Sequence, residues 1–145
     1  TRPEILNHFI KAGPFFSTFG GNNVACAAGI AVLDVIRDED LIANARLTGD
    51  YLRAGLRRLM DRHPVIGDVR GAGLAIGVEL VRDRTTLEPA GTEVPRLLNL
   101  IRDEGVLVGG EGKHGNVLKI RPPIVFRAEH AGMAIAAIDR ALAKL

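Results

Sequence analysis

Apolar residues fill almost every position from Val24 to Ile36, and Asp34 is the first charge in that run. A segment apolar on nearly all sides predicts a long buried helix, packed on both faces. The charged stretch Arg37, Asp38, Glu39 and Asp40 breaks it. Beyond that break, Leu41, Ala45, Thr48, Leu52, Leu56 and Leu59 recur every three or four residues, which predicts one stripe of a long amphipathic helix ending before Pro64. Asp50, Arg53, Arg57 and Arg58 make its other face.

From Val69 the period changes to two. Ala72, Leu74, Ile76, Val78 and Leu80 point one way, and Gly73, Ala75, Gly77 and Glu79 the other. This predicts a strand whose second face admits a very close neighbour. The stretch "RDRTTLEPAG" reads as a turn-rich connection. "VPRLLNLIRDEG" predicts a short helix with Val94, Leu97, Leu98 and Ile101 inward and Gly105 as its cap. "VLVGG" and "NVLKIRPP" predict two short strands joined by "EGKHG", the second ended by Pro122 and Pro123. Ala128 to Leu145 closes the chain as a helix with Ile135, Ile138, Leu142 and Leu145 on one face. The fold class expected is α+β, a small, mostly antiparallel sheet with helices packed on it.

Composition narrows the classes of function. With 145 residues, 47% of them hydrophobic and 25% charged, the chain has the makings of one ordinary folded domain, without need of a disulfide or metal staple. Its one cysteine, Cys26, allows no internal disulfide, which fits a reducing cytoplasm. The net charge of +2 comes from scattered cations, and only 4% of residues are aromatic, so nucleic acid is not an expected partner. The apolar run from Val24 to Leu33 is shorter than the roughly 20 residues that span a bilayer, so no membrane is expected either. His8, His63, His114 and His130 lie far apart without ligand spacing, which predicts surface side chains and no metal. The chain opens at Thr1 with "TRPEI" and no initiator Met, and so reads as the interior of a longer protein. An N-terminal threonine nucleophile is the alternative, but Arg2-Pro3 suits the chain after a strand end better.

Two glycine-rich stretches are decoys. "GAGLAIG" at Gly71 to Gly77 has the wrong glycine spacing for a dinucleotide fingerprint, and "GGEGKHG" has His114 where a phosphate loop needs Ser or Thr. A third stretch, "FFSTFGGNNVACAAG", is more informative. Ser17 and Thr18 offer hydroxyls, Gly20 and Gly21 let backbone approach an oxyanion, and a helix starting near Asn22 or Asn23 aims its free N–H groups at the loop. These residues make a phosphate cradle or a plain N-cap and turn, and local chemistry by itself favours the plainer of the two. In "NVLKIRPP", Lys119 and Arg121 share one strand face, fit either to hold a carboxylate or phosphate or simply to meet solvent.

The order of "TRPEI", "FFSTFGGNNVACAAGIAVLDVI", "LIANARLTGDYLRAGLRRL", "IGDVRGAGLAIGVELV", "GNVLKIRPP" and "AIDRAL" resembles the C-terminal part of a class III aminotransferase, the family of ornithine, 4-aminobutyrate and alanine-glyoxylate aminotransferases. The resemblance implies a fold-type-I enzyme with pyridoxal 5'-phosphate as cofactor. It divides the chain into the end of the large domain, 1–37, and a C-terminal small domain, 38–145. It places the Schiff-base lysine upstream of Thr1, so that no catalytic residue falls in the chain and the segment alone is inactive. It assigns Thr18 to the cofactor phosphate of the neighbouring subunit in a homodimer, beside the Ser17, Gly20 and Gly21 already read as a cradle; Lys119 and Arg121 stay the candidate substrate-binding cations. The sequence departs from the family pattern twice: Asn23 stands where proline is usual, and Lys119 where the arginine for the substrate carboxylate is usual. The form "NVLKIRPP" is closer to the phospho-lyase branch, which eliminates phosphate from amines such as phosphoethanolamine. Besides a transaminase and a phospho-lyase, a non-catalytic anion-binding or interaction module remains as a third reading.

Overall fold

The computed structural model describes residues 1–145 and divides into two compact units, Thr1–Glu39 and Asp40–Leu145. The first unit holds α1 (Pro3–Ala12) and α2 (Asn23–Asp38). Helix α1 has no counterpart in the sequence pattern above: Pro3 stands at its start, where its missing N–H costs nothing. Helix α2 runs for 16 residues as the apolar pattern requires, yet none of its residues is buried within the chain. The cover expected on both faces is not supplied from within these residues. Val24, Ile30, Val32 and Leu33 are all exposed, because no element of these residues supplies an apolar surface to cover them.

The second unit contains α3 (Leu41–Leu59), β1 (Ile66–Ala72), β2 (Ala75–Asp83), β3 (Glu88–Pro89), α4 (Val94–Asp103), β4 (Gly109–Glu111), β5 (Val117–Ile120) and α5 (Ala128–Leu142). Its sheet runs β1-β2-β5-β4, antiparallel throughout, with β3 paired to the far end of β2. Helices α3, α4 and α5 cover one face. The core joins Leu52, Leu56 and Leu59 of α3 to Ile76, Val78 and Leu80 of β2, Leu118 and Ile120 of β5, and Ile138 of α5. Each such side chain contributes roughly 1.5–3 kcal/mol when fully buried.

The single strand expected from Val69 to Leu80 is in fact a hairpin. A two-residue turn at Gly73 and Leu74 separates β1 from β2, with Ala72 paired to Ala75. Paired residues share a face, so the inward set changes from odd positions in β1 (Val69, opposite Val78) to even ones in β2 (Ile76, Val78 and Leu80), and Ala72, paired with Ala75, lies on the other face from the one expected. Gly73, at φ +51°, takes a left-handed conformation that favours glycine. The close approach anticipated on the sheet's second face also lies elsewhere: a Cβ on Gly49 of α3 would stand 2.0 Å from the Gly73 carbonyl oxygen. At Gly77 the neighbour is only the Val117 side chain.

Arginines tie α3 to the edge of this sheet. Arg53 donates to the Gly71 carbonyl at 2.8 Å and Arg57 to that of Val69 at 3.2 Å, satisfying acceptors of the edge strand β1. Arg84 bonds the carbonyls of Met60, His63 and Ile66, joining the end of α3 to the start of β1. Among the histidines, His63 is not the surface residue expected: its ring is largely covered and its Nε2 lies 2.6 Å from Asp139 Oδ1 on α5. That bond, with Arg62 beside it, holds the Asp139 carboxyl below the usual aspartate range.

The Gly49 contact makes a direct prediction. A methyl group there must push α3 off the backbone of the turn, so Gly49→Ala should lower stability by about 1–3 kcal/mol in denaturant unfolding. A melt unchanged from the parent would show that α3 has room to spare.

Candidate functional site

The predicted site residues fall into two clusters, one in each unit. In the first unit the chain turns at Ser17, whose Oγ accepts a hydrogen bond from Gly20 N at 2.9 Å. A Cβ on Gly20 would lie 2.7 Å from that Oγ, and Gly21 sits at φ +78°, so both glycines are needed for the turn. Asn22 is the N-cap of α2: its Oδ1 accepts from Ala25 N at 2.8 Å and its Nδ2 donates to the Phe19 carbonyl at 2.6 Å. Asn23 is thus the first helical residue.

These bonds engage Ser17, Gly20 and Asn22 in shaping the loop and leave the exposed Thr18 hydroxyl outside them. The N–H groups of Asn23 and Val24 precede the first intrahelical bond, which Cys26 N makes to the Asn22 carbonyl. One hydroxyl and two helix-terminal N–H groups are a donor set that fits a phosphate, aided by the positive end of the helix dipole. The cap and the cradle are therefore compatible: Asn22 uses one free N–H and leaves others.

In the second unit Lys119 and Arg121 line one open cleft of about 750 Å³. Strand β5 ends at Ile120, so Arg121 belongs to the loop that follows, and the cleft, not a continuous strand face, brings the two cations together. Lys119 pairs in register with Gly109 on β4, and a Cβ on Gly109 would stand 3.4 Å from Lys119 Cε. The lysine stem thus lies across a glycine. Its ammonium forms an ion pair with Glu111, the diagonal neighbour on β4. A hydrogen bond from Lys119, then its charge and that of Arg121, hold the Glu111 carboxyl below the usual glutamate range. Arg121 is exposed and forms no ion pair within the chain. Val125, Phe126 and His130 complete the adjoining wall, with the Phe126 and His130 rings 5.5 Å apart.

Glu111 and His130 were absent from the sequence reading of this site. Glu111 had a legible signal, since a hairpin closed by "EGKHG" sets it diagonally from Lys119. His130 had none, because α5 brings it to the cleft through tertiary packing. The two decoy motifs form the β1–β2 and β4–β5 hairpins.

With this geometry in view, comparison with known proteins is direct. Residues 1–142 match the family model described as "Aminotransferase class-III", and the chain belongs to that family. It is 43% identical over its whole length to alanine–glyoxylate aminotransferase 2 homolog 2, mitochondrial, of Arabidopsis thaliana, covering 30% of that protein. It is 40% identical over 98% of its length to ethanolamine-phosphate phospho-lyase homolog 1 of Caenorhabditis elegans, covering 31% of it. Among solved structures, a phospholyase from Arthrobacter in complex with phosphoethanolamine is 40% identical and superposes with a TM-score of 0.90 over 100% of this chain and 34% of that one. The chain thus spans about a third of the length of the relatives it matches, and its mixed helix and antiparallel sheet is the fold of that part of them. No helix is long and apolar enough to cross a membrane.

The Glu111 pair carries a pH signature. Because its carboxyl is depressed in the folded state, the pairing contributes above the ordinary glutamate value and is lost as pH falls through the depressed one. Carboxyl NMR titration should place Glu111 below the ordinary range, and Lys119→Gln should return it there. An unmoved Glu111 titration in that variant would separate the two residues.

Proposed function

We propose that the chain is the C-terminal part of a homodimeric enzyme that uses pyridoxal 5'-phosphate to move an amino group from an amino acid or amine to a 2-oxo acid. The observation that carries this reading is the class III family match across residues 1–142. In this reading residues 1–37 end the large domain, which makes the dimer, and 38–145 form the small domain. When bound, pyridoxal phosphate supplies the electron sink for a substrate carbanion. The part played by this chain is to bind and orient. Thr18 donates its hydroxyl to the phosphate of the cofactor held by the neighbouring subunit. The N–H groups at the start of α2 add neutral donors, and Ser17, Gly20 and Gly21 keep the loop bare enough for approach. Lys119 and Arg121 hold the anionic group of the substrate, Arg121 through a two-pronged fork and Lys119 as a point charge.

The lysine that carries the cofactor covalently and the acidic partner of its ring nitrogen belong upstream of these residues, so the segment alone does not turn over. Exposed Cys26, with no disulfide partner, suits a reducing compartment, for which we take the cytoplasm.

Lys119, in the place of the usual arginine, favours a second reading, a phospho-lyase that releases phosphate from a phosphorylated amine. Both Caenorhabditis and Arthrobacter relatives carry that activity in their names. Assay of the full-length protein for phosphate release from phosphoethanolamine, beside amino transfer to pyruvate or 2-oxoglutarate, separates the two. Release without transfer would overturn the transaminase.

A hydroxyl bonded to a charged phosphate contributes roughly 1.5–3 kcal/mol, so Thr18→Ala in the full-length enzyme should weaken cofactor binding about ten- to a hundred-fold. An unchanged affinity removes Thr18 from the phosphate site. The 145-residue chain by itself should show no new absorption band with added cofactor and no borohydride-trapped adduct. A trapped adduct on one lysine here would place the covalent site inside the chain.

A further inference from the structure

Asn44, on the second turn of α3, faces the loop that follows β5. Its Nδ2 donates to two carbonyls of that loop, Ile124 at 2.9 Å and Phe126 at 3.0 Å, residues some 80 positions away. Its Oδ1 accepts from the hydroxyl of Thr48, which is buried, at 3.3 Å. The two carbonyls fix the sense of the amide, since a flip would set its oxygen against both, and the Thr48 hydroxyl then donates to the Oδ1 that faces it. Both N–H bonds of the side chain therefore point into one loop, held there by a buried neighbour.

The loop so anchored is the wall of the cleft. Arg121 stands at its start, Val125 and Phe126 line the cleft further on, and Pro122 and Pro123 lie between Arg121 and the anchored Ile124. Two prolines with φ fixed near −65° make a stiff spacer, so a position set at Ile124 is passed back to Arg121 with little slack. Phe126 N donates to the Pro123 carbonyl at 2.9 Å, which closes a turn inside the same segment.

We propose that Asn44 is a positioning residue for the anion site, setting the direction of Arg121 and the wall formed by Val125 and Phe126. The inference rests on the reading that Arg121 takes the anionic group of the substrate. Asn44 touches no substrate in this account. It acts through two backbone carbonyls and a diproline spacer.

The test uses the full-length, cofactor-loaded enzyme with whichever of L-alanine and phosphoethanolamine it turns over. Asn44→Asp keeps the size and puts an acceptor where two donors stood. Losing both donors should raise KM roughly tenfold and leave kcat within about twofold. Arg121→Gln should do the same, and the double variant should fall well short of the product of the two effects, because both act on one contact. A thermal melt accompanies each variant. If Asn44→Asp fails to fold, Thr48→Val, which removes the bond to Oδ1 and holds the amide less firmly, should raise KM by a smaller factor in the same pattern. An unchanged KM in a folded Asn44 or Thr48 variant, alongside a raised one for Arg121→Gln, overturns the positioning role and leaves the anion site standing. So do effects that multiply in full, or a loss confined to kcat. A KM unmoved by Arg121→Gln removes the anion-site reading itself, and this inference with it.

Discussion

Everything in the second unit depends on how near helix α3 can come to the tip of the β1–β2 hairpin. Gly49 and Gly73 meet backbone to backbone at a distance no side chain would permit. That contact seats one end of a 19-residue helix on the sheet, and the leucines further along, Leu52, Leu56 and Leu59, then fall in reach of β2 and β5. Gly55 leaves room in turn for the Ile135 side chain of α5. With the helix seated, its polar side is also put to use: Arg53 and Arg57 cap the carbonyls of an edge strand, and Asn44 reaches the loop after β5. A small residue at one position thus governs the core, the sheet edge and the wall of the cleft.

The two units are stabilised by different physics. Asp40–Leu145 buries a continuous apolar core and carries its charges outside, the ordinary arrangement of a domain. Thr1–Glu39 buries nothing: Phe9, Phe15, Phe16 and Phe19 are all exposed, along with most of α2. Its local structure is set by short-range bonds that need no core, the turn at Ser17 and the cap at Asn22.

Charge in the cleft is unevenly distributed. Lys119 has a carboxylate beside it, whereas Arg121 does not. Exposed pairs of this kind are individually weak, so Glu111 restrains Lys119 without removing it from the reach of an anion. The arginine is the cation already free, and the loop beneath it is the one that Asn44 holds.

Local patterns in the sequence determined much of this. The three-or-four spacing from Leu41 to Leu59 specified α3, the alternation of Leu118 and Ile120 specified the inward face of β5, and Ser17, Gly20, Gly21 and Asn22 specified a turn and cap at the start of α2. Each rests on contacts between near neighbours or on a simple period. The hairpin at Gly73 was hidden because the alternation from Leu74 to Leu80 belongs to β2 and its turn, and small Ala72 falls into step with it by number while lying on the other face. Asn44 with Ile124, His63 with Asp139, and Gly49 with Gly73 were decided only by the tertiary structure, for these partners lie between 24 and 80 positions apart in the chain. The exposure of α2 was decided there too, since a pattern of apolar residues states that cover is needed and not which surface provides it.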